Sequence, residues 1–443
     1  MASRFALGSR LALLSLPLTL TLPACESDGE TLQTLRVDHV APTVHAVSPQ
    51  PTDPTDPVNP TDPVHPTDPA DPTDPVNPTD PTDPTDPVNP TDPVNPTDPT
   101  DPVNPTDPTD PVNPTDPTEP LACPPGAVCV DTFPFIDTRD TAAGTRTFDA
   151  YSCSPATNEG GPEVLYQVTL TEPGLLVASV SELDTGVDVD VQILSSKSPS
   201  ACLDRGHWDA AALLAAGTYF VVVDSWVSAG GDEKSGAYTL TLGLTRADDF
   251  EGQGLDSEVL ATGLYAFATA WNQGDTDRLE YSVIDFSLHN KHPRFWTIDL
   301  RDGSLVFAEP VTHGAGSQDP VQSGYASSFS NINESHQSSL GMMRTATRYI
   351  SGSNGLSLLL DGLEPGINDL VRPRAIVMHS DAYASAAYIA EHGRMGNSWG
   401  CQVVDPAVIE DVIGTLEGGA LLWTYYPDDA FLGASTYLEG FTP

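Results

Sequence analysis

Hydrophobic and polar positions along the 443-residue chain change rhythm three times. Behind a short apolar opening, the segment 51–120 is polar throughout, with proline at every third position in triplets such as TDP and VNP. A three-residue period matches the polyproline II helix, which needs no backbone hydrogen bonds. Aspartates recur at one place in the triplet, so they line an edge and repel along it. At about 3.1 Å per residue, such a repeat could reach on the order of 200 Å. From 122 to 248 the rhythm is that of strands. EVLYQVTL, GLLVASVS, VDVDVQIL, GTYFVVVDSW and GAYTLTLGL are short β-rich runs parted by turn signals such as EPG and AAG. Runs of this length and spacing predict an antiparallel β-sandwich.

The third rhythm is mixed. LDSEVLATGLYAFATAWNQG has helical spacing and closes at Gly274, and LEYSVIDFSL reads as a strand. RFWTIDLRDGSLVFAEPV predicts a hairpin turning at Asp302-Gly303. SLLLDGL, RAIVMHS and LLWTYY are further strands, while YASAAYIAEHG and PAVIEDVIGTLEGG are helices. The expected fold class is therefore multidomain: an all-β sandwich followed by a β-rich α+β unit at 255–430.

Composition narrows the partners. The formal charge is −44, from 62 acidic against 18 basic residues, which excludes a nucleic-acid footprint. Residues 1–24 look like an export signal: Arg4 and Arg10 precede the apolar LALLSLPLTLTL, which is too short to span a bilayer comfortably. The signal ends in LPAC and resembles that of a bacterial lipoprotein, which would lipidate Cys25 and hold the chain at the cell envelope. The stretch 25–121 then serves as an extended linker.

Export permits disulfides. Cys123, Cys129, Cys153 and Cys202 fall close together, and the expected pairs are Cys123 with Cys129 and Cys153 with Cys202, although four cysteines allow three pairings. Cys401, nearly 200 residues downstream, is set apart from these bridges. In the sandwich, Asp188, Asp190 and Asp224 read as solvent-facing strand residues, with an ion or a glycan as the other reading.

Cys401 ends GRMGNSWGC, and His379 ends the apolar run AIVM. Cysteine catalysis needs a thiolate, a base within reach and donors for the developing oxyanion. One helix and a glycine-bearing turn lie between the two residues, a path that can return the chain to the same sheet edge. Gly396 and Gly400 allow close backbone approach, and the N–H groups near Gly400 and Cys401 are candidate oxyanion donors. Spacing alone leaves a structural cysteine and a capping histidine equally open. His313 has no HxxxH or CxxC companion, so no metal is expected.

Several motifs recur in order: THGAGS at 312–317, SNINESHQSSLG at 330–341, YISGSNGLSLLLDGLEPGIND at 349–369, RAIVMH at 374–379 and GRMGNSWGC at 393–401. With them this region resembles the murein L,D-transpeptidase catalytic domain family. The sandwich resembles the bacterial pre-peptidase C-terminal domain through GPEVLYQVTL, DVDVQIL, AGTYFVVVDS and GAYTLTL. The first resemblance implies Cys401 as nucleophile and His379 as base, with Ser398 and Gly400 in the SxGC loop. Arg394, Arg374 and His313 are the candidates for contacting substrate. It further implies peptidoglycan stem peptides as substrate, no cofactor and, as expected here, a monomer. Two positions depart from the family pattern. Ser380 follows the histidine where many members have glycine, and Val403 stands where many have arginine. An inactive peptidoglycan-binding or adhesion lipoprotein is therefore the alternative.

Overall fold

The computed structural model describes residues 123–442 apart from position 183. The signal, Cys25 and the proline repeat lie outside the described residues. Nine strands build the sandwich: β1 (Val128–Val130), β2 (Phe135–Asp140), β3 (Glu163–Leu170), β4 (Gly174–Glu182), β5 (Val189–Leu194), β6 (Cys202–Gly206), β7 (Asp209–Leu214), β8 (Gly217–Ser225) and β9 (Ala237–Thr245). They form a five-stranded sheet, β1-β3-β8-β5-β6, facing a four-stranded sheet, β2-β9-β4-β7. The two expected disulfides are present, Cys123–Cys129 and Cys153–Cys202.

The second unit opens with α1 (Ser257–Gln273), started by the Asp256 side chain accepting from Glu258 N and stopped by left-handed Gly274. Then come β10 (Glu280–Asp285), β11 (Phe295–Asp299), β12 (Ser304–Glu309), β13 (Gly341–Ser351), β14 (Gly355–Gly362), β15 (Val377–Ser380), α2 (Ala386–His392), β16 (Gln402–Val404), α3 (Ile409–Leu416), β17 (Leu421–Tyr425) and α4 (Asp429–Ala434). The eight strands make one mixed sheet, β12-β11-β10-β17-β13-β14-β15-β16. Parallel pairs occur at β10–β17 and β15–β16, so LLWTYY, late in the chain, is central in the sheet. Val259, Leu260, Leu264 and Phe267 of α1 are buried, and Gly263 lets the helix approach until Tyr281 OH donates to its carbonyl at 2.6 Å.

Two expectations change. The unit expected to end at 430 continues, because Phe431, Tyr437 and Leu438 are buried in its core. Nor are the two units separately cored. Leu175 and Val177 of β4 and Ala211 of β7 belong to the same buried cluster as α1, and Trp271 Nε1 donates to Asp204 Oδ2 at 2.8 Å across the junction. The turn of the β11–β12 hairpin meets β9 so closely that a Cβ at Gly243 would lie 2.5 Å from Arg301 O.

The sandwich carboxylates also differ from expectation. Glu163, Asp224 and Asp190 sit in register across β3, β8 and β5, and all three are buried rather than solvent-facing. Tyr151 OH donates to Asp224 at 2.6 Å, while Arg205 joins Asp190 to buried Glu159. Burial pushes the Asp224 carboxyl up to about 9 and Glu159 up to about 8. A carboxyl whose folded pKa is raised stabilises the fold at low pH and loses that contribution as pH rises through the folded value. Stability should fall between pH 7 and 9 by about 1 kcal/mol per pH unit per group, and Asp224→Asn should flatten the slope. Thermal melts at pH 7, 8 and 9 check this; an unchanged slope in the variant would exclude Asp224 as a source.

Candidate functional site

Strands β15 and β16 place the two residues of interest. They pair in parallel with Met378 opposite Gln402 and His379 opposite Val403. Side chains alternate along a strand, so Val377 and His379 share one face. Cys401 precedes β16 and packs with Val377 and Val403 in one apolar cluster on that face. Its Sγ lies 3.4 Å from Val377 N and 3.8 Å from Ala375 O. The topology thus brings His379 and Cys401 to the same face of the last two strands at one end of the sheet.

His379 is 1% exposed and Cys401 0%. The His379 Nδ1 lies 3.2 Å from Ser380 O. A carbonyl only accepts, so Nδ1 carries the hydrogen and Nε2 keeps its lone pair. That Nε2 is buried and meets no hydrogen-bond partner. Burial lowers the His379 pKa, which favours the neutral ring. Neither of the two bridges among the described residues involves Cys401.

Ser398 and Gly400 shape the backbone that presents Cys401. The Ser398 hydroxyl donates to Cys401 O at 2.7 Å and accepts from Gly400 N at 3.2 Å. The Gly400 N–H, a candidate oxyanion donor from the sequence, is therefore spent on Ser398. Gly400 takes φ +113°, and a Cβ there would lie 2.8 Å from Gln337 O. Thr312 Oγ1 bonds both Cys401 O and Val403 N, and Ser338 Oγ donates to Gly400 O. THGAGS, SNINESHQSSLG and GRMGNSWGC are thus three loops laced into one.

Beneath them lies a polar scaffold that the sequence did not disclose. Arg294 is fully buried and donates to Val311 O, to Leu288 O and to His313 Nδ1 at 3.0 Å. Arginine has no acceptor, so His313 must accept at Nδ1 and donate from Nε2 to Gln318 Oε1 at 3.2 Å. Burial first, then Arg294, holds His313 down to about 3, so it stays neutral. The Gln318 oxygen also accepts from Asn397, and His313 O accepts from Ser398 N. Asn290 pairs with both backbone atoms of Met395. With no exposed surface and both ring nitrogens engaged, His313 offers substrate nothing; the contact expected of it gives way to positioning. Arg294, Asn290 and Gln318 stand in no motif; burial reveals the first two, and its hydrogen bonds to His313 and Asn397 reveal the third.

The two arginines divide. Arg374 spends its guanidinium on Ser330 O, Ser339 Oγ, Ser335 Oγ and Gln337 O, clamping the 330–339 loop. Half-buried Arg394 donates to Met395 O at 2.8 Å and has no carboxylate partner among the described residues. Val403 is buried with Cys401, which explains why an arginine would not fit there. A cleft of about 630 Å³ lined by Asp275, Arg344 and Asp361 shares no residue with this cluster.

Residues 251–425 match the family model described as L,D-transpeptidase catalytic domain. No curated protein matches the chain. Among solved structures, the pre-peptidase C-terminal domain of a Bacillus anthracis collagenase is 13% identical, covering 27% of this chain and 98% of its own, with TM-score 0.20. An L,D-transpeptidase from Mycobacterium smegmatis is 10% identical over 68% of this chain and 96% of its own, with TM-score 0.22. One from Xylanimonas cellulosilytica is 13% identical over 33% and 61%, with TM-score 0.20. None of the three is close enough to carry a role over to this chain.

Ser398→Ala would leave Gly400 N unpaired and strip the shorter of two hydrogen bonds from the Cys401 carbonyl, leaving that from Thr312, at a cost of about 1–3 kcal/mol. Because a small displacement of a reacting group is expensive, kcat should fall on the order of 100-fold while KM holds. Steady-state kinetics beside a thermal melt check this; unchanged kcat would limit Ser398 to stability.

Proposed function

We propose, from the premise that residues 251–425 belong to the L,D-transpeptidase catalytic domain family, that the chain is an exported cell-wall enzyme with Cys401 as nucleophile. The observation carrying this is the paired edge of β15 and β16, which sets a neutral, buried His379 on the same face as Cys401. The active form is the one with a reduced Cys401, because the chemistry requires its thiolate.

In the proposed sequence, His379 Nε2 takes the thiol proton and the thiolate attacks the carbonyl of the third residue of a tetrapeptide stem. The tetrahedral adduct collapses, the C–N bond to the terminal D-alanine breaks, and the imidazolium returns its proton to the leaving amine. A thioester on Cys401 remains. An amine of a second stem then attacks it, giving a cross-link, or water attacks it, giving trimming; in each case the displaced proton passes through His379 to the thiolate. Burial of His379 suits this order, since a charged ring in a closed site is only a transient. Arg394 is the residue for a substrate carboxylate, as a guanidinium suits that group. The same reading places the protein at the bacterial cell envelope, anchored by lipid on Cys25 and with the repeat as tether.

Two outcomes test it. Reduced protein treated with a carbapenem should gain one adduct mass at Cys401, and Cys401→Ala should neither gain it nor release D-alanine from tetrapeptide muropeptides. No adduct on the reduced chain, with wall binding retained, would favour the inactive adhesion reading instead. Secondly, the acidic limb of kcat/KM should have its midpoint below the usual histidine value of about 6.5, because His379 must be neutral to accept a proton and burial lowers its pKa. A midpoint above that value would remove His379 as the base.

A further inference from the structure

We propose that His336 is a substrate-contacting, specificity-determining residue whose imidazole hydrogen-bonds the amide groups of the stem peptide. This deepens the transpeptidase reading and rests on it. His336 lies in SNINESHQSSLG, a stretch whose hydroxyls and amides mostly bond other loop residues. The His336 ring does not. Among the described residues, neither of its nitrogens has a hydrogen-bond partner, and its one ring contact is a flat stack on Trp399, with centroids 4.3 Å apart and planes 10° from parallel.

Place and rigidity turn that ring into a recognition element. Trp399 precedes Cys401 by two residues and packs on the same cluster. The chain just after His336 passes Gly400 at contact distance, where Gln337 O occupies the space a Cβ would need. His336 and Trp399 are half-exposed, whereas Cys401 and His379 are sealed, so the stack is the solvent-facing part of the group around the nucleophile. The backbone at His336 is held at φ +54°, a left-handed conformation that L residues rarely adopt. It is fixed there by Gly316 N donating to His336 O at 2.9 Å and by the Arg374 clamp on Ser335 and Gln337. A half-buried guanidinium is thus used to keep one strained loop still. Strain retained beside a reacting group is a mark of function when the surrounding structure over-determines it. The ring's plane is set by Trp399, and its edge offers one donor and one acceptor, the complement of a peptide bond.

The test measures binding first, so that turnover is not needed. The full chain carrying Cys401→Ala is titrated with disaccharide-tetrapeptide and compared with the Cys401→Ala, His336→Phe chain. Phenylalanine keeps the flat face on Trp399 and removes both nitrogens. The dissociation constant should rise on the order of tenfold, the usual worth of one or two hydrogen bonds, with an unchanged melting temperature. In the otherwise natural, reduced chain, His336→Phe should raise KM similarly and leave kcat within about twofold. A dissociation constant within twofold of the parent overturns the proposal, as does a weakening seen only in His336→Ala together with a lower melting temperature, which marks the ring as cover. If the reduced chain binds the muropeptide but releases no D-alanine, the transpeptidase reading fails and the contact stands.

Discussion

The guanidinium of Arg294 is the constraint on which the loop carrying Cys401 depends. It is fully buried, and among the described residues no carboxylate bonds to it directly. Moving such a charge out of water costs several kcal/mol unless its hydrogens are satisfied. Here two carbonyls and an imidazole take them, the Phe286 ring lies 5.1 Å away, and buried Asp285 adds attraction. Burial lowers the guanidinium to about 9, so it remains charged at neutral pH. This settles the His313 tautomer, and through it the orientation of Gln318 and the side of the 397–401 turn nearest Cys401. One buried cation therefore specifies a loop whose own side chains are mostly small.

Much of this was legible in the sequence. The helix closed by Gly274, the Asp302-Gly303 hairpin and the strand ending in His379 all form where their patterns predict. Each is a local signal, a period or a turn residue. What stayed hidden is non-local. Arg344 and Arg348 interrupt β13, whose register also shifts between Thr345 and Arg348, so no clean alternation marks it. The sandwich carboxylates lie on alternate positions, as solvent-facing residues would. The short covering segment that brings Tyr151 and Glu159 over them leaves no trace in the strands themselves.

Allocation of polar groups was the least readable level. Arg374 and Arg394 are equivalent in sequence terms, yet one is consumed by a loop and the other keeps donors to spare. Ser398 looks like a reacting hydroxyl and instead bonds the backbone on both sides of itself. Pairing of cysteines is a question of three-dimensional approach, which spacing answered for the sandwich.

The shared core has one more consequence, which is mechanical. Tension applied through the chain's N-terminal side enters the described fold at Cys123, crosses the Cys123–Cys129 bridge and reaches β1, which runs parallel to β3. The bonds of a parallel pair are evenly spaced along it, so a pull directed along β1 loads them in shear, together rather than in turn. From there the load passes by way of β4 and β7 into α1, which rests directly on the eight-stranded sheet. Force entering at Cys123 would reach that sheet through packed side chains rather than through a slack hinge.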